Sequence, residues 1–143
     1  MIIAIANDHA GVEYKTELCE FLQKMGHTVI NFGCDQTTSC DYPDYARKVT
    51  EAIQNKKADM GVLICGTGIG MSIFANKQKG IRASLCDNVF SAQLTREHND
   101  SNVLCMGARV ISKELMFDIA KVYFSTPFSN DERHLRRIKK LEE

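Results

Sequence analysis

The sequence lacks the features typical of membrane, nucleic-acid-binding and secreted disulfide-rich proteins. Basic and acidic residues number 18 each, so the formal net charge is zero, and no excess of positive charge indicates a nucleic-acid or anionic-membrane partner. No apolar run approaches the length of a transmembrane helix. The apolar start at 1–6 is too short for a signal peptide and has no basic leader. We therefore expect neither a nucleic-acid partner nor a membrane.

The cysteines do not form a metal-binding or redox motif. There are six of them, an even number that is compatible with disulfides. No secretion signal, Cys-x-x-Cys pair or Cys/His zinc spacing accompanies them. The expected state is reduced thiols in the cytoplasm, with no metal site.

Alternating strands and helices define the predicted fold. The chain is predicted to be one domain over 1–143, without repeats, low-complexity segments or linkers. Buried strands alternate with helices five times, which predicts a doubly wound, Rossmann-like α/β/α domain of three layers around a five-stranded parallel sheet. The expected strand order is 2-1-3-4-5, with the fourth strand over 81–85. A Ser-x-x-Glu capping box at Ser129–Glu132 predicts a basic C-terminal helix over about 129–142.

The most informative stretch is a strand that runs into a glycine-rich turn. The apolar residues 62–64 lead to Cys65 and then to Gly66-x-Gly68-x-Gly70. The lack of polar alternation predicts a strand that is buried on both faces. The glycines permit a sharp turn whose N–H groups are free for an anion. A cysteine in this place is also commonly a small hydrophobe, and the spacing matches neither the Walker pattern nor Gly-x-Gly-x-x-Gly.

Two further groups of polar residues are candidates for a site. Asp8 and His9 directly follow the first strand, and adjacent strands 1 and 3 place them in one crevice with the glycine turn. Arg133 and Arg137 are one helical turn apart, and paired guanidinium groups suit a phosphate. A helix-capping Asp8 with a solvent-facing His9, and a merely solvated basic helix, are the alternatives.

These motifs together closely resemble the ribose-5-phosphate isomerase B family, which shares its fold with the galactose-6-phosphate isomerase subunits. The resemblance covers nearly the whole chain, and the motifs follow the family's order. The motifs are Asp8-His9-x-Gly11, Asp41-Tyr42-Pro43, Ile64-Cys65-Gly66-Thr67-Gly68-x-Gly70, Ala75-Asn76-Lys77, Gly80-Ile81-Arg82-Ala83, Arg96-Glu97-His98-Asn99-Asp100-x-Asn102 and Arg133-His134-x-x-Arg137.

The resemblance implies an isomerase of the pentose phosphate pathway. Its reaction interconverts ribose 5-phosphate and ribulose 5-phosphate through a cis-enediolate, with no metal or organic cofactor. Cys65 is then the base, and Thr67 handles the hydroxyl protons. The backbone of Gly66, Gly68 and Gly70 holds the enediolate oxygens. A thiol at a helix N-terminus and a turn rich in N–H donors suit these two roles.

The resemblance also implies the remaining site residues and the assembly. It assigns ring opening to Asp8 and His98, and contacts with the sugar to Tyr42 and Asn99. The residues implied for phosphate binding are His9, Arg109, Arg133 and Arg137. The family's assembly implies a homodimer or a dimer of dimers, with His98 entering the site from the partner subunit.

The chain departs from the family pattern in three places, of which Ala6, where a glycine is common, is a minor one. Asp131-Glu132 stand where a glycine pair is frequent, so two acids adjoin the implied phosphate site and either weaken it or turn outward as helix caps. Met71 stands where one branch carries a glutamate base, which leaves Cys65 as the base. The galactose-6-phosphate-type subunits tend to lose the cysteine or the histidine, whereas this chain keeps Cys65 and His98. A pentose phosphate is therefore favoured.

Three alternative functions stay open at this point. The first is an isomerase of a six-carbon sugar phosphate, of the allose 6-phosphate or galactose 6-phosphate type. The second is a nucleotide-binding enzyme, because Gly66-x-Gly68 is followed by Asp87 about 20 residues later, as in a dinucleotide-binding fingerprint. The third is a non-catalytic flavodoxin-like module, which explains the fold but not the polar residues gathered near Cys65.

Overall fold

Strands and helices alternate along the chain in the computed structural model, which describes residues 1–143. The strands are β1 (Ile2–Asn7), β2 (Thr28–Asn31), β3 (Met60–Cys65), β4 (Ala83–Leu85) and β5 (Val103–Gly107). The helices are α1 (Val12–Lys24), α2 (Tyr42–Gln54), α3 (Ile69–Asn76), α4 (Val89–Asn99), α5 (Lys113–Ser125) and α6 (Glu132–Leu141). No helix combines the length and the apolar composition that crossing a bilayer requires.

The five strands form one parallel sheet in the order β2-β1-β3-β5-β4. The predicted parallel sheet is confirmed, but β4 and β5 exchange places relative to the expected order 2-1-3-4-5. β5 is buried at every position and therefore needs a neighbouring strand on each side. β4 has only three residues, and none of them is fully buried, so it is suited to the edge. The exchange leaves β1 beside β3, with Ile3 paired to Met60 and Asn7 to Ile64.

Helices cover both faces of the sheet and enclose two apolar clusters. One cluster joins alternate strand residues to α1, α4 and α5. The other joins the intervening strand residues to α2 and α3, and it includes Cys65 and Met71. Because successive residues of a strand point to opposite faces, this arrangement confirms the three-layer architecture. Cys65 thus lies under α3, at the end of a fully buried strand.

The last helix begins later than the capping box predicts. α6 begins at Glu132, and its cap is Asp131, whose Oδ1 accepts a hydrogen bond from the Arg133 N–H at 2.8 Å. The Ser129 hydroxyl instead bonds His134 Nδ1 at 2.9 Å. Asn130, the first helical position that the motif predicts, has a left-handed φ of +58°, so the helix cannot begin there and the cap moves to Asp131.

The apolar residues of α6 are largely uncovered. Leu135 is 48% exposed and Leu141 is 65% exposed. His134 is the buried residue of this helix. α6 therefore presents Leu135 and Leu141 to solvent, whereas Ile138 between them is half-buried.

Candidate active site

The turn after β3 holds the Cys65 thiol against a backbone donor. The Cys65 side chain is 5% exposed, and its sulfur accepts a hydrogen bond from the Gly68 N–H at 3.1 Å. Gly68 has a φ of +80°, and a Cβ at this position would lie 2.5 Å from Leu85 Cδ1 and 2.9 Å from the Met106 carbonyl carbon. Only glycine fits this conformation and this space. The turn therefore directs an N–H dipole at the sulfur, an arrangement that stabilises a negative charge there.

Several more donors of the turn have no partner within the chain. The N–H of Gly68 bonds Cys65, and the N–H of Ile69 bonds Thr67 Oγ1 at 3.2 Å. The backbone N–H groups without a hydrogen bond are those of Gly66, Thr67, Gly70 and Met71. They surround the start of α3, where unpaired N–H groups favour negative charge. Such a set of donors can hold an oxyanion next to the thiol.

Tyr42 and Arg109 pack against the glycines of this turn. A Cβ at Gly70 would lie 2.5 Å from the Tyr42 ring, and a Cβ at Gly66 would lie 3.4 Å from the Arg109 guanidinium. Arg109 reaches this position because its own N–H donates to the Gly66 carbonyl at 3.0 Å. Both side chains are exposed, so they flank the turn and can meet a ligand.

Asp8 and His9 lie at the same edge of the sheet, on the neighbouring strand. The Asp8 N–H donates to the Ile64 carbonyl at 3.1 Å, which fixes Asp8 one residue from Cys65 on the adjacent strand. Its carboxylate is 6% exposed and accepts from the Ala10 N–H at 2.9 Å. His9 Nδ1 accepts from a backbone N–H of the loop before α2, at 3.3 Å. We call this end of the sheet the thiol edge; it comprises Asp8, His9, Tyr42, the turn Cys65–Gly70 and Arg109.

The other predicted residues lie at the opposite end of the sheet. Asn99 ends α4, and its carbonyl accepts from Arg82 Nε at 2.9 Å, just before β4 begins. The N–H of Gly61, at the start of β3, donates to the Asn102 carbonyl close by. Since a strand rises about 3.3 Å per residue, the five steps of β3 from Met60 to Cys65 span about 17 Å. His98, Asn99, Arg133 and Arg137 form what we call the basic edge.

Both ends of α6 are attached to residues that adjoin His98 and Asn99. Before the helix, the Ser129 N–H donates to the Glu97 carbonyl at 3.2 Å. At the end of the helix, Glu142 pairs with Arg82 at 2.6 Å. Arg133 pairs with Asp131 at 3.2 Å, whereas no ion pair is formed by Arg137. The structure thus brings the predicted residues together as two groups, one at each edge.

Sequence reasoning assigned no role to two buried residues that organise these groups. His134 stacks on His98 with ring centroids 4.3 Å apart. Asn7 is fully buried and bonds the backbone of both Asp8 and Cys34. The position of Asn7, a polar residue at the end of an apolar strand, is a weak sequence signal for its role. The helical periodicity of α6 gives no such signal for His134.

A third buried residue holds the end of α4. Arg96 is 7% exposed. It donates to Asp100 at 3.0 Å and to the Thr126 carbonyl at 3.2 Å. It therefore ties the end of the helix that carries His98 to the segment before α6. No group of three or more potential ligand side chains is arranged to hold a metal.

Comparisons with known proteins identify the family of the chain. A family model described as Ribose/Galactose Isomerase matches residues 3–141. The chain belongs to this family. The Bacillus subtilis protein YwlF is 50% identical over 142 residues, which cover 99% of this chain and 95% of YwlF. Escherichia coli ribose-5-phosphate isomerase B is 42% identical over 139 residues, 97% of this chain and 93% of the relative.

A solved structure gives the same result for the fold. Clostridium thermocellum ribose-5-phosphate isomerase B superposes with a TM-score of 0.96 at 44% identity, covering 99% of this chain and 95% of that one. The ribose/galactose isomerase family inferred from the sequence motifs is therefore confirmed, and the chain is an isomerase.

Proposed function

We propose that this chain interconverts D-ribose 5-phosphate and D-ribulose 5-phosphate through a cis-enediolate, with Cys65 as the base. The observation that carries this proposal is the buried Cys65 sulfur, bonded to the Gly68 N–H at 3.1 Å beside a set of unpaired N–H donors. In the open-chain aldose, the thiolate takes the proton from C2 and returns it to C1. Negative charge develops meanwhile on the oxygens, where the free N–H groups stabilise it.

Two further groups of the thiol edge complete the proposed chemistry. The exposed Thr67 hydroxyl stands at the first turn of α3, where it transfers the protons of the sugar hydroxyls. The buried Asp8 carboxylate adjoins the β3 end through its backbone bond to Ile64. It opens the furanose ring together with His98. Asp8 also caps the turn that begins with His9, so the structural role considered for it is present and leaves its second oxygen available.

We propose that each site is shared between two copies of the chain. The two edges are separated by the length of β3, about 17 Å, which exceeds the length of a pentose phosphate. The His98, Asn99, Arg133 and Arg137 that serve one Cys65 therefore come from a second subunit. A two-fold symmetric homodimer forms two such sites, because the same two edges meet twice. Dimers that pair further into tetramers are compatible with this arrangement.

Exposed apolar side chains at both edges support this assembly. Around the thiol turn, 43–71% of the side chain is exposed at Ile69, Ile73, Leu85, Val110 and Phe90. On α6, the exposed Leu135 and Leu141 add apolar surface to the basic edge. Apolar surface of this kind indicates a protein partner, and a second copy supplies it without a further component.

The phosphate is assigned to basic side chains from both subunits. His9 and Arg109 approach from the thiol edge, and Arg133 and Arg137 from the basic edge of the partner. The Arg133 guanidinium is already engaged by Asp131. Arg137 is therefore the arginine that is free to bind the phosphate, and Tyr42 and Asn99 are left to contact the sugar.

We place the reaction in the cytoplasm. All six cysteines are free thiols in the structure, which supports a reducing compartment. Reducing conditions also preserve a thiolate base, because oxidation abolishes its basicity.

The substrate itself is tested by comparing sugar phosphates. The family description covers ribose and galactose isomerases, so a six-carbon sugar phosphate is the second candidate. We expect kcat/KM to be greatest for ribose 5-phosphate, with allose 6-phosphate and galactose 6-phosphate converted less well. A ranking led by either hexose phosphate would replace the pentose assignment. Binding of NAD or NADP, with no isomerisation at all, would favour a nucleotide-binding enzyme.

The role of Cys65 as the base is tested by replacing it with serine. Serine is close to cysteine in shape but too weak an acid to be ionised near neutral pH, so Cys65→Ser should lower kcat by ~10²–10⁴-fold with little change in KM. During turnover in D₂O the wild type should place deuterium on the carbon that receives the transferred proton.

The reactivity of Cys65 is tested by alkylation. Burial raises the pKa of Cys86 to about 11 and also raises that of Cys105. Alkylation by iodoacetamide should therefore spare these two thiols and inactivate through Cys65. A folded Cys65→Ser protein with wild-type kcat would remove the thiol from the mechanism.

Phosphate binding by α6 is tested by substituting Arg137. Loss of a charge-assisted hydrogen bond worth ~1.5–3 kcal/mol should lower kcat/KM of Arg137→Ala by roughly 10- to 150-fold, mainly through KM. Inorganic phosphate should inhibit the wild type competitively and the variant more weakly. Lys139→Ala, two residues along and on the opposite side of the helix, is the matched control and should change neither value. Equal effects of the two substitutions would indicate that the helix is only a solvated basic face.

The shared site is tested by mixing inactive subunits. Cys65→Ala and His98→Ala homodimers should each be poor enzymes, because every site in them is broken. After co-refolding in equal amounts, half of the dimers are heterodimers with one intact site and one doubly broken site. The mixture should therefore recover up to about a quarter of the wild-type activity. If heterodimers form and the mixture stays as inactive as its parents, the two edges do not share a site.

A further inference from the structure

The loop over 33–41, between β2 and α2, brings two thiols together beside His9. The Cys40 sulfur is 3.9 Å from the Cys34 sulfur and 3.9 Å from His9 Nδ1. The Cys40 backbone N–H also donates to this nitrogen, at 3.3 Å. The isomerase mechanism uses neither thiol, yet Cys40 contacts a residue assigned to the phosphate and Cys34 contacts Cys40.

The two cysteines are held with unequal firmness. Cys34 is 3% exposed, and Asn7 clamps it by accepting from its N–H at 3.1 Å and donating to its carbonyl at 2.9 Å. The next residue, Asp35, is tied to the buried ammonium group of Lys15. Cys40 is half-buried, and the His9 contact is the only hydrogen bond of its backbone N–H. Movement within the pair therefore falls on Cys40.

We propose that Cys34 and Cys40 are a reversible oxidative modification site, in which a peroxide forms an intramolecular disulfide that weakens phosphate binding at His9. Cys40, the more exposed thiol, attacks one oxygen of hydrogen peroxide, which gives a sulfenic acid and one water. Cys34 then attacks the Cys40 sulfur, and a second water leaves. Two thiols lose two electrons in total, and one peroxide is reduced to two waters.

The cross-link affects the site because it shortens the distance between the Cys34 and Cys40 sulfurs. A disulfide holds its sulfurs about 2.05 Å apart, so the two sulfurs must approach each other by nearly half of their present separation. Because Asn7 fixes Cys34, the backbone of Cys40 shifts and disturbs its hydrogen bond to His9. Tyr42 begins α2 two residues later and packs on Gly70, so the shift also extends toward the sugar contact. Loss of one neutral hydrogen bond corresponds to a roughly two- to tenfold weaker affinity.

The test uses a protein in which catalysis is not needed. This inference rests on the proposed function for the role of His9, and Cys65 is itself a thiol that peroxide attacks. The starting protein is therefore Cys65→Ala, treated with hydrogen peroxide with and without later dithiothreitol. Desolvation raises the pKa of the Cys40 thiol, so the oxidation is run at alkaline pH, where more thiolate is present.

Two measurements follow on the oxidised protein. Peptide mass mapping should find Cys34 joined to Cys40 with the loss of two hydrogens, and dithiothreitol should reverse it. Calorimetry should find inorganic phosphate bound roughly two- to tenfold more weakly than by the reduced protein. The matched control, Cys65→Ala with Cys40→Ser, should form no cross-link, and its phosphate affinity should not change on oxidation.

Each outcome decides the proposal without reference to turnover. A cross-link together with weaker phosphate binding supports it. Oxidation that leaves Cys34 and Cys40 unlinked, or a cross-link that leaves phosphate affinity unchanged, overturns it. A failure of the isomerase assignment would appear separately, as a wild-type protein that does not convert any sugar phosphate.

Discussion

The hydrogen bond from the Gly68 N–H to the Cys65 sulfur depends on a close approach of two pieces of backbone. β5 pairs with β3 so that Gly107 lies opposite Cys65, and a Cβ at Gly107 would lie 2.6 Å from the Thr67 backbone. The turn therefore rests directly on the end of β5. The observed strand order has a functional consequence, because β5 beside β3 lets the Arg109 N–H reach the Gly66 carbonyl. An order with β4 between them would have placed Arg109 one strand farther from the thiol.

The same topology divides the candidate site. In a parallel α/β fold, the carboxyl ends of the strands and the carboxyl ends of the crossover helices lie at opposite edges of the sheet. Asp8, Cys65 and Arg109 follow strands, whereas His98 and Asn99 end a helix. No rearrangement of loops within one chain joins these groups across a strand about 17 Å long. The proposed second copy would join them, and the exposed apolar residues of both edges would be buried in the same step.

Local signals explain which parts of the structure the sequence predicts. The glycine turn, the adjacency of β1 and β3 and the burial of β1, β3 and β5 follow from glycine spacing and apolar runs and are observed, whereas β2 and β4 are only partly buried. Whether β4 or β5 lies at the edge of the sheet depends on how completely each strand is buried. The length of an apolar run in the sequence does not reveal this. The predicted start of α6 is too early because Asn130 adopts a left-handed φ of +58°, which the Ser-x-x-Glu pattern does not reveal. The catalytic and binding roles of the individual residues stay predictions, since geometry places side chains without showing what they bind.

The acidic pair at the start of α6 can now be interpreted in the same physical terms. Asp131 caps the helix and bonds both the backbone and the guanidinium of Arg133. These bonds to Arg133 lower the pKa of Asp131, so its carboxylate stays charged near neutral pH. The pair is well exposed, with 62% of the Arg133 side chain and 40% of the Asp131 side chain accessible, and ion pairs of this kind are weak. A doubly charged phosphate that bonds two arginines offers Arg133 a stronger partner. Asp131 thus holds the Arg133 guanidinium in place, and under the proposed function the substrate's phosphate would displace Asp131 from it.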